Sequence, residues 1–260
     1  MMATFSAEPY GRGSQGISRR SNSDYHAGAE RVALPCMQIE PAAESSWCWS
    51  SAAMCNNYQF YLEYEAYCRL MQEIELGIPT QQSELDMPPA EDVRINDVAP
   101  VMRTKGNVVE LVQMQWSFPA SRAGARPVFN FRGEGRKFQK DDRVIIPASG
   151  FYEFTGAKSP KNKWLFTLND APMMGIAGIW RAIGGKEMFT MLTVDPGPDL
   201  EGFHDRQVVV LPPRDWSTWL YADAPEKDLI KPLPAGTLSV KLYRRGKDEP
   251  EPELLAKAAA

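Results

Sequence analysis

Between Val108 and Leu242 short apolar runs alternate with breaks that contain glycine and proline, and this alternation constrains the fold more than any other feature. Runs of this length, rich in β-branched and aromatic residues and divided by turn residues, are typical of strands. The predicted strands are Val108–Trp116, Arg126–Arg132, Arg143–Pro147, Gly150–Phe154, Lys163–Leu168, Gly175–Trp180, Met188–Thr193, Gln207–Leu211 and Thr237–Leu242. Many short strands with few helices predict an α+β domain around a strongly curved or barrel-like sheet.

Two segments have helical character. Apolar and aromatic residues recur at helical spacing from Tyr58 to Leu76, and Gly77 and Pro79 follow as stop signals. A second, shorter helix is predicted at Trp216–Leu220, after a pair of prolines. Residues 80–93, between the first helix and the strands, are predicted to be a polar loop.

The two ends of the chain differ in composition from its centre. Residues 1–53 are rich in Ser, Gly, Ala and Arg without an apolar period, which indicates disorder or a segment outside the functional protein. From Arg244 the sequence is a charged tail that is expected to fray. The predicted domain therefore spans residues 54–243.

Length and hydropathy narrow the class of protein. A chain of 260 residues suits one domain of moderate size. No apolar run approaches the roughly 20 residues of a membrane span, and the start lacks the apolar core of a signal peptide. No membrane association is expected, and a cytoplasmic location is the default expectation.

The cysteines do not form a recognisable framework. The chain has four, Cys36, Cys48, Cys55 and Cys68, and none of them makes a C-x-x-C pair. They are too few for a disulfide scaffold and wrongly spaced for a zinc cluster. Free thiols in a reducing compartment are expected, and no metal or cofactor is implied.

Charge gives a mixed indication of nucleic-acid binding. The formal net charge of −4 argues against a generally basic binding domain. Basic residues nevertheless concentrate between Arg122 and Arg143, while acidic residues dominate elsewhere. That stretch fits either a groove for a nucleic acid or an ordinary solvated loop.

Three polar residues stand in unusual surroundings. His204 is the one imidazole outside the leader, and a lone histidine is more often structural than catalytic. Glu153 ends an apolar run, where a carboxylate is costly without partners or a task, although a solvated strand end is the simpler explanation. Asn130 lies between two phenylalanines and fits a structural amide at a bend.

Five short motifs in order resemble the SRAP family of SOS response-associated peptidase-like, abasic-site processing proteins. That family is similar in its M-C-G-R start and in its W-G-x-x-P, N-x-R-x-E, P-x-x-G-F-Y-E-W and H-x-R-M-P motifs. The matching segments here are Met54-Cys55, Trp116–Pro119, Asn130–Glu134, Pro147–Phe154 and His204–Arg206. The resemblance covers residues 54–225 and implies a curved, barrel-like, mostly antiparallel β core with peripheral helices.

The resemblance implies a chemistry that depends on Cys55 being the first residue. An N-terminal cysteine carries an amine and a thiol on adjacent carbons, with pKa values near ~8 and ~8.5. An aldehyde condenses with the amine to an imine, and the thiol then closes a thiazolidine ring. An abasic site in single-stranded DNA offers such an aldehyde, so the implied function is a covalent DNA–protein crosslink in the DNA damage response.

Roles for individual residues follow from the same resemblance. Cys55 is the implied nucleophile, Glu153 the general acid and base, and His204 an aid to sugar-ring opening and crosslink reversal. Asn130 is expected to hold the amine or the deoxyribose. Arg132 and Arg206 are expected to contact phosphates, and Trp116 to stack on a base. The protein is expected to act as a monomer.

The sequence departs from the family pattern near the expected nucleophile. Asn56 and Asn57 replace Gly and Arg, Ser117 replaces Gly, Phe154 replaces Trp, and Gln207-Val208 replaces Met-Pro. The Asn57 change removes a cation that the family has near the nucleophile. This weakens the expected hold on the substrate.

As numbered, 53 residues and Met54 precede Cys55 and block its amine. Translation could begin at Met54, the protein could cleave its own leader, or this member could lack the chemistry. Two other functions stay open: a thiol peptidase that uses Cys55 and His204 with Glu153 or Asn130, and a non-covalent module for single-stranded DNA.

Overall fold

From Val108 onward, strands lie where the short apolar runs of the sequence predict them. Further strands precede Val108. A computed structural model describes residues 55–61, 64–76, 89–157 and 159–248. The expectations for residues 1–53 and for the end of the tail lie outside the described residues. The strands are β1 (Asn57–Phe60), β2 (Ala90–Arg94), β3 (Val98–Lys105), β4 (Val108–Trp116), β5 (Asn130–Arg132), β6 (Arg143–Ala148), β7 (Gly150–Thr155), β8 (Asn162–Leu168), β9 (Met174–Ile183), β10 (Lys186–Val194), β11 (Gln207–Val208), β12 (Val210–Leu211) and β13 (Leu238–Arg244).

Five strands close into a barrel. β10 pairs with β4, β4 with β3, β3 with β6, β6 with β9, and β9 pairs back with β10. Every pairing in this ring is antiparallel except that of β10 with β4. Closure leaves no free edge within the ring, because each strand has hydrogen-bonding neighbours on both sides. The predicted barrel-like, mostly antiparallel α+β core is confirmed.

A second sheet brings the start of the domain next to the middle of the chain. Its strand order is β13-β8-β7-β1-β2, with antiparallel neighbours throughout. In this sheet Tyr58 of β1 lies opposite Phe151 of β7, and Glu153 lies opposite Trp164 of β8. The pairing of β1 with β7 therefore holds Cys55, two residues before β1, beside the β7 segment that carries Glu153.

The helices are short and cover the barrel. They are α1 (Tyr64–Glu73), α2 (Trp216–Tyr221) and α3 (Glu226–Leu229). Trp216 and Trp219 of α2 are fully buried, and their indole N–H groups donate to the main-chain oxygens of Leu211 and Val144. Burial of a large apolar side chain stabilises the fold by about 2 to 3 kcal/mol, so α2 is a strong anchor despite its length. No helix among the described residues is long and apolar enough to cross a membrane.

Close backbone approach explains one glycine in the barrel wall. A Cβ atom on Gly175 of β9 would lie 2.6 Å from Nε1 of Trp216, closer than any side chain tolerates. The indole of α2 packs directly on the β9 backbone at this point. Glycine is required there by packing rather than by its dihedral angles.

The N-terminal part of the predicted first helix is wrong. Asn57–Phe60 forms strand β1, and helix α1 begins only at Tyr64. Tyr58 pairs with Val93 on one side and Phe151 on the other, so tertiary pairing overrides the helical spacing of its neighbours. The predicted loop at residues 80–93 is also partly wrong, because β2 begins at Ala90.

Other boundaries shift for local reasons. β3 was not predicted, since Pro100 interrupts its apolar pattern. The Arg126–Arg132 run narrows to β5, and Gln207–Leu211 divides into β11 and β12 around Val209. At that point the Val209 N–H donates to Leu192 while its carbonyl accepts from Ala177, so the residue bridges β10 and β9.

Candidate functional site

Cys55 is held by hydrogen bonds to both of its main-chain groups. Its N–H donates to Oε1 of Glu153 at 3.2 Å, and its carbonyl accepts from Nδ2 of Asn130 at 3.0 Å. Glu153 lies on β7 and Asn130 on β5, so two different strands position the partners of Cys55. The structure thus brings together three of the predicted site residues.

Glu153 is a buried acid that forms no salt bridge with any of the described residues. Its side chain is 1% exposed, and Oε2 has no hydrogen-bond partner among the described residues. Its pKa is raised to about 8, chiefly by burial; the hydrogen bond from the Cys55 N–H opposes this rise, and the negative charge of Asp205 adds to it. A carboxyl that titrates near neutral pH is suited to both giving and taking protons.

The Cys55 thiol is kept protonated by its surroundings. Burial raises its pKa well above the ordinary value, and the negative charge of Glu153 adds to this effect. The thiol donates to the main-chain oxygen of Asn57 at 3.4 Å. Because the thiolate is the reactive form, this thiol needs a base before it can act as a nucleophile.

Buried polar atoms without protein partners surround Cys55. They are Oδ1 of Asn56, Oδ1 of Asn130 and Oε2 of Glu153, and each lacks a hydrogen-bond partner among the described residues. An unpaired buried polar atom costs about 1 to 3 kcal/mol, so a group of them around one residue calls for an explanation. A polar substrate at Cys55 would provide one.

His204 lies on a loop that is fixed against the second sheet. The ring of Phe203 packs edge-on against Trp164 and Phe166 of β8, with centroid distances of 5.1 and 5.2 Å. Trp164 lies directly opposite Glu153 in the sheet. The loop is therefore anchored to the strand beside Glu153, and the imidazole of His204 is buried there.

Asp205 sets the tautomer of His204. Its Oδ1 lies 2.7 Å from Nδ1 of the imidazole, while the main-chain N–H of Arg206 lies 3.1 Å from the same atom. One nitrogen cannot donate to the first and accept from the second at once. The shorter contact to a charged acceptor favours a proton on Nδ1, which leaves Nε2 as the basic nitrogen of the neutral ring.

The guanidinium of Arg206, which was predicted to contact a phosphate, is engaged in contacts within the protein. Its guanidinium binds both carboxylate oxygens of Glu134, Asp195 and the main-chain oxygen of Thr193, and the residue is 7% exposed. These bonds join the loop of His204 to β10 and to the segment after β5. Arg206 thus holds parts of the site together and has little surface left for a phosphate.

The predicted stacking of Trp116 on a base also conflicts with its position. Trp116 is fully buried, with its ring stacked on Phe189 and in edge contact with Tyr58. Its indole N–H donates to the main-chain oxygen of Phe129. Trp116 is therefore part of the core that supports β5 and β1.

Arg132 is exposed and lies on the same side as the site. Side chains two residues apart in a strand share one face, so Arg132 and Asn130 project to the same side of β5. Asn130 contacts Cys55 on that side. The position of Arg132 is compatible with a contact to a substrate phosphate.

The two departures next to Cys55 and Trp116 have structural consequences. The side-chain amide of Asn57 donates to the carboxylate of Asp92, which also binds Lys163 and Arg94. Ser117 has a φ of 99°, in the region that favours glycine. The serine is therefore a strained residue at the place where the family has Gly.

Sequence reasoning assigned no role to Glu134 or Asp205. Both stand inside the matching motifs, Glu134 at the end of N-x-R-x-E and Asp205 between His204 and Arg206. Their functions depend on contacts across 72 residues and on the loop geometry around the imidazole, which no local pattern reveals. Among the described residues no cluster of His, Cys, Asp or Glu has the arrangement of a metal site.

Comparison with known proteins identifies relatives of this chain. The family model for SOS response associated peptidase (SRAP) matches residues 54–244. The chain is 30% identical over 105 residues to the abasic site processing protein YobE of Bacillus subtilis (strain 168), an alignment that covers 38% of this chain and 48% of that protein. The chain thus spans about half the length of this curated relative.

Solved structures share the fold. A protein from Bordetella bronchiseptica has 23% identity and a TM-score of 0.56, with 73% of this chain and 100% of that one covered. A phage-related protein from the same organism has 19% identity and a TM-score of 0.56, with 76% and 100% covered. A protein from Bacteroides thetaiotaomicron has 15% identity and a TM-score of 0.55, with 73% and 92% covered. With a family match over most of its length, this chain belongs to the SOS response associated peptidase (SRAP) family.

Proposed function

We propose that this protein handles abasic sites in single-stranded DNA by forming a covalent crosslink through Cys55. The observation that carries the proposal is the 3.2 Å hydrogen bond between the Cys55 nitrogen and Glu153, a buried acid with a pKa raised to about 8 by burial. The name of the Bacillus relative points to the same substrate class. With a free amine on Cys55, its amine and thiol would both lie beside the carboxyl group of Glu153.

The reaction balances with the groups at the site. The freed amine of Cys55 attacks the aldehyde carbon of the opened sugar and forms a carbinolamine. Glu153 protonates the departing hydroxyl, and loss of water gives an iminium ion. The thiol passes its proton to the Glu153 carboxylate while its sulfur adds to the iminium carbon, so the products are a thiazolidine, one water and Glu153 in its starting protonated form.

Each neighbouring residue has a task in this scheme. Glu153, once deprotonated, takes the proton from the thiol, whose own pKa is raised by burial. Asn130 fixes the carbonyl of Cys55, and its Oδ1 has no hydrogen-bond partner among the described residues. His204 is buried on the loop beside Glu153 and would assist opening of the sugar ring.

The reaction requires that Cys55 have a free amine. A second activity follows from the same hydrogen bond, because the Cys55 nitrogen is the leaving group of the Met54–Cys55 peptide bond. The thiol would attack the carbonyl of Met54, Glu153 would protonate the leaving nitrogen, and water would hydrolyse the resulting thioester. This self-cleavage would give an N-terminal Cys55.

The test uses a single-stranded oligonucleotide with one abasic site. We expect a protein–DNA species that survives a denaturing gel, that requires the abasic aldehyde, and that is lost in Cys55→Ala. An undamaged oligonucleotide is the matched substrate control. Cleavage of peptides without any such species would favour a thiol peptidase, and equal DNA binding by wild type and Cys55→Ala without a covalent product would favour a binding module.

A further inference from the structure

The segment 55–57 lies beyond the last residue pair between β1 and β7. That ladder is short and ends at Tyr58, which lies opposite Phe151. Cys55 comes three residues earlier, so strand pairing with β7 does not hold it in place. Its position depends on its own two main-chain hydrogen bonds and on the contacts that fix the rest of the segment.

One of the two main-chain contacts of Cys55 changes during the proposed reaction. Glu153 accepts from the Cys55 nitrogen, and the same carboxyl group gives and takes protons while that nitrogen becomes an iminium and then a ring nitrogen. This contact cannot fix the cysteine throughout the reaction. Contacts that the reaction leaves unchanged have to do so, because misplacement of a reacting group by about 1 Å costs about 10²-fold in rate.

A buried network fixes the side chain of Asn57. Its amide donates to Oδ1 of Asp92 on β2, and Nζ of Lys163 on β8 lies 3.0 Å from the same oxygen. The side chains of Asp92 and Lys163 are 23% and 8% exposed, and Asn57 is buried. We call Asn57, Asp92 and Lys163 the Asp92 clasp.

The Asp92 clasp joins β1 to β7 across the face of the second sheet. In that sheet β7 and β1 lie between β8 and β2, so the bond from Lys163 to Asp92 crosses both of them. The Lys163 ammonium also lies 3.7 Å from the ring centre of Tyr152, the residue before Glu153. The clasp therefore ties the start of β1 to β7 by a route that does not involve the reacting groups.

The carboxylate of the clasp keeps its charge. Burial raises the pKa of Asp92, but three hydrogen bonds outweigh burial and leave that pKa lowered. They come from Arg94, Asn57 and Lys163. The carboxylate is therefore ionised at neutral pH and holds the amide and the ammonium at once. Hydrogen bonds to a charged group are short and strong, which makes the clasp a firm anchor.

We propose that the Asp92 clasp positions Cys55 for the crosslinking reaction by fixing Asn57 against β7. This inference rests on the proposed function. Asp92 and Lys163 act through Asn57 and are not among the reacting groups. At position 57 the family has Arg, and in this chain the Asn at that position is an anchor within the protein.

The test compares two double variants of protein that begins at Cys55, so that its amine is free. Lys163→Met/Asp92→Asn removes both charges together but keeps an oxygen that accepts from the Asn57 amide. Lys163→Met/Asp92→Ala removes that acceptor as well. Removal of both charges avoids a buried charge without a partner, and Arg94, the remaining partner of Asp92, is exposed.

Crosslinking rates are measured against the concentration of a short abasic oligonucleotide. We expect Lys163→Met/Asp92→Ala to lower the maximal rate by at least about tenfold, with a half-saturating concentration within about twofold of wild type. The maximal rate of Lys163→Met/Asp92→Asn should stay within about threefold of wild type. The control Glu110→Ala removes a carboxylate of similar exposure, 22%, that pairs with Arg103 on β3, and it should leave the maximal rate unchanged.

Equal maximal rates in the two double variants would overturn the proposal, and so would an equal loss in Glu110→Ala or a change confined to the half-saturating concentration. A wild type that forms no crosslink would count against the proposed function instead. Amide hydrogen exchange of residues 55–60 then decides the role of the clasp. Exchange should be faster in Lys163→Met/Asp92→Ala than in Lys163→Met/Asp92→Asn, and equal exchange would overturn the proposal.

Discussion

Oε1 of Glu153 and the main-chain nitrogen of Cys55 lie 3.2 Å apart, although the two residues are 98 positions apart in the sequence. The pairing of β1 with β7 creates this contact, because it sets Tyr58 opposite Phe151 and brings the residues around them together. The contact joins the proposed nucleophile to an acid that titrates near neutral pH. The proposed chemistry depends on it.

Glu153→Gln is expected to stabilise the full chain at neutral pH. The folded-state pKa of Glu153 is about 8, against 4.5 for an unperturbed glutamate, so folding favours the protonated form. Stability from this residue is therefore greatest below pH 4.5 and declines as the pH rises towards 8. We expect the variant to exceed wild type by about 3 kcal/mol in unfolding free energy at pH 7, at ~1.36 kcal/mol per pH unit.

Urea unfolding at pH 5 and pH 7 measures this effect. The advantage of Glu153→Gln should shrink to about 1 kcal/mol at pH 5. In protein that begins at Cys55, Glu153→Gln should lower the crosslinking rate by about 10²-fold or more, because the proton carrier is lost. An advantage that does not change with pH would contradict the raised pKa.

Asp205→Asn is expected to move the pH dependence of crosslinking. The Asp205 charge raises the pKa of Glu153, so its removal lowers that pKa. The limb of the pH–rate profile that reports Glu153 should shift to lower pH. Asp170→Asn is a matched control, since Asp170 is exposed and is not among the causes of the Glu153 shift. An unshifted limb in Asp205→Asn would rule out the coupling.

Arg206→Ala and Arg132→Ala should separate structure from binding. Removal of Arg206 leaves Glu134 without its bidentate partner, so we expect a loss of about 3 kcal/mol in unfolding free energy. Arg132 is exposed, and its removal should change stability by less than about 0.5 kcal/mol. It should instead reduce the salt slope of DNA binding by about 0.7. Calorimetry measures the stability of both variants, and fluorescence anisotropy measures their DNA binding. A stable Arg206→Ala with weaker DNA binding, together with an unstable Arg132→Ala, would contradict both assignments.

Ser117→Gly is expected to stabilise the fold. The φ of 99° costs a non-glycine residue about 1 to 3 kcal/mol, and the greater unfolded-state entropy of glycine offsets part of the gain. A net increase of about 1 kcal/mol in unfolding free energy should result. Ser117→Ala keeps the strain and serves as the control. Equal stability of the Gly and Ala variants would show that the backbone is unstrained.

Local patterns in the sequence predicted most of the strands but not the site as a whole. The composition of Val108–Trp116 and Gly150–Phe154, and the turn residues beside them, predict strands. The structure has strands at both places. The segment from Tyr58 has helical spacing but becomes a strand because β2 and β7 flank it. A pattern of a few neighbouring residues cannot reveal pairing between strands that are far apart in the sequence.

The same distinction applies to the site residues. Cys55, Asn130 and Glu153 could be named from motifs, and the structure joins them. The burial of Trp116 and the pairing of Arg206 could not be foreseen, because an aromatic or a cation in a motif fits a core position and a binding position equally well. Their supporting roles follow only from three-dimensional contacts.

Mass spectrometry of the crosslinked peptide shows whether Cys55 forms the thiazolidine. Protein that begins at Cys55 is incubated with the abasic oligonucleotide, denatured, treated with a thiol-alkylating reagent, and digested with protease and nuclease. We expect the sugar remnant on the N-terminal peptide, with a mass corresponding to loss of one water and with the Cys55 thiol protected from alkylation. A remnant on a lysine, or a Cys55 thiol that is still alkylated in the crosslinked peptide, would rule out a thiazolidine at Cys55.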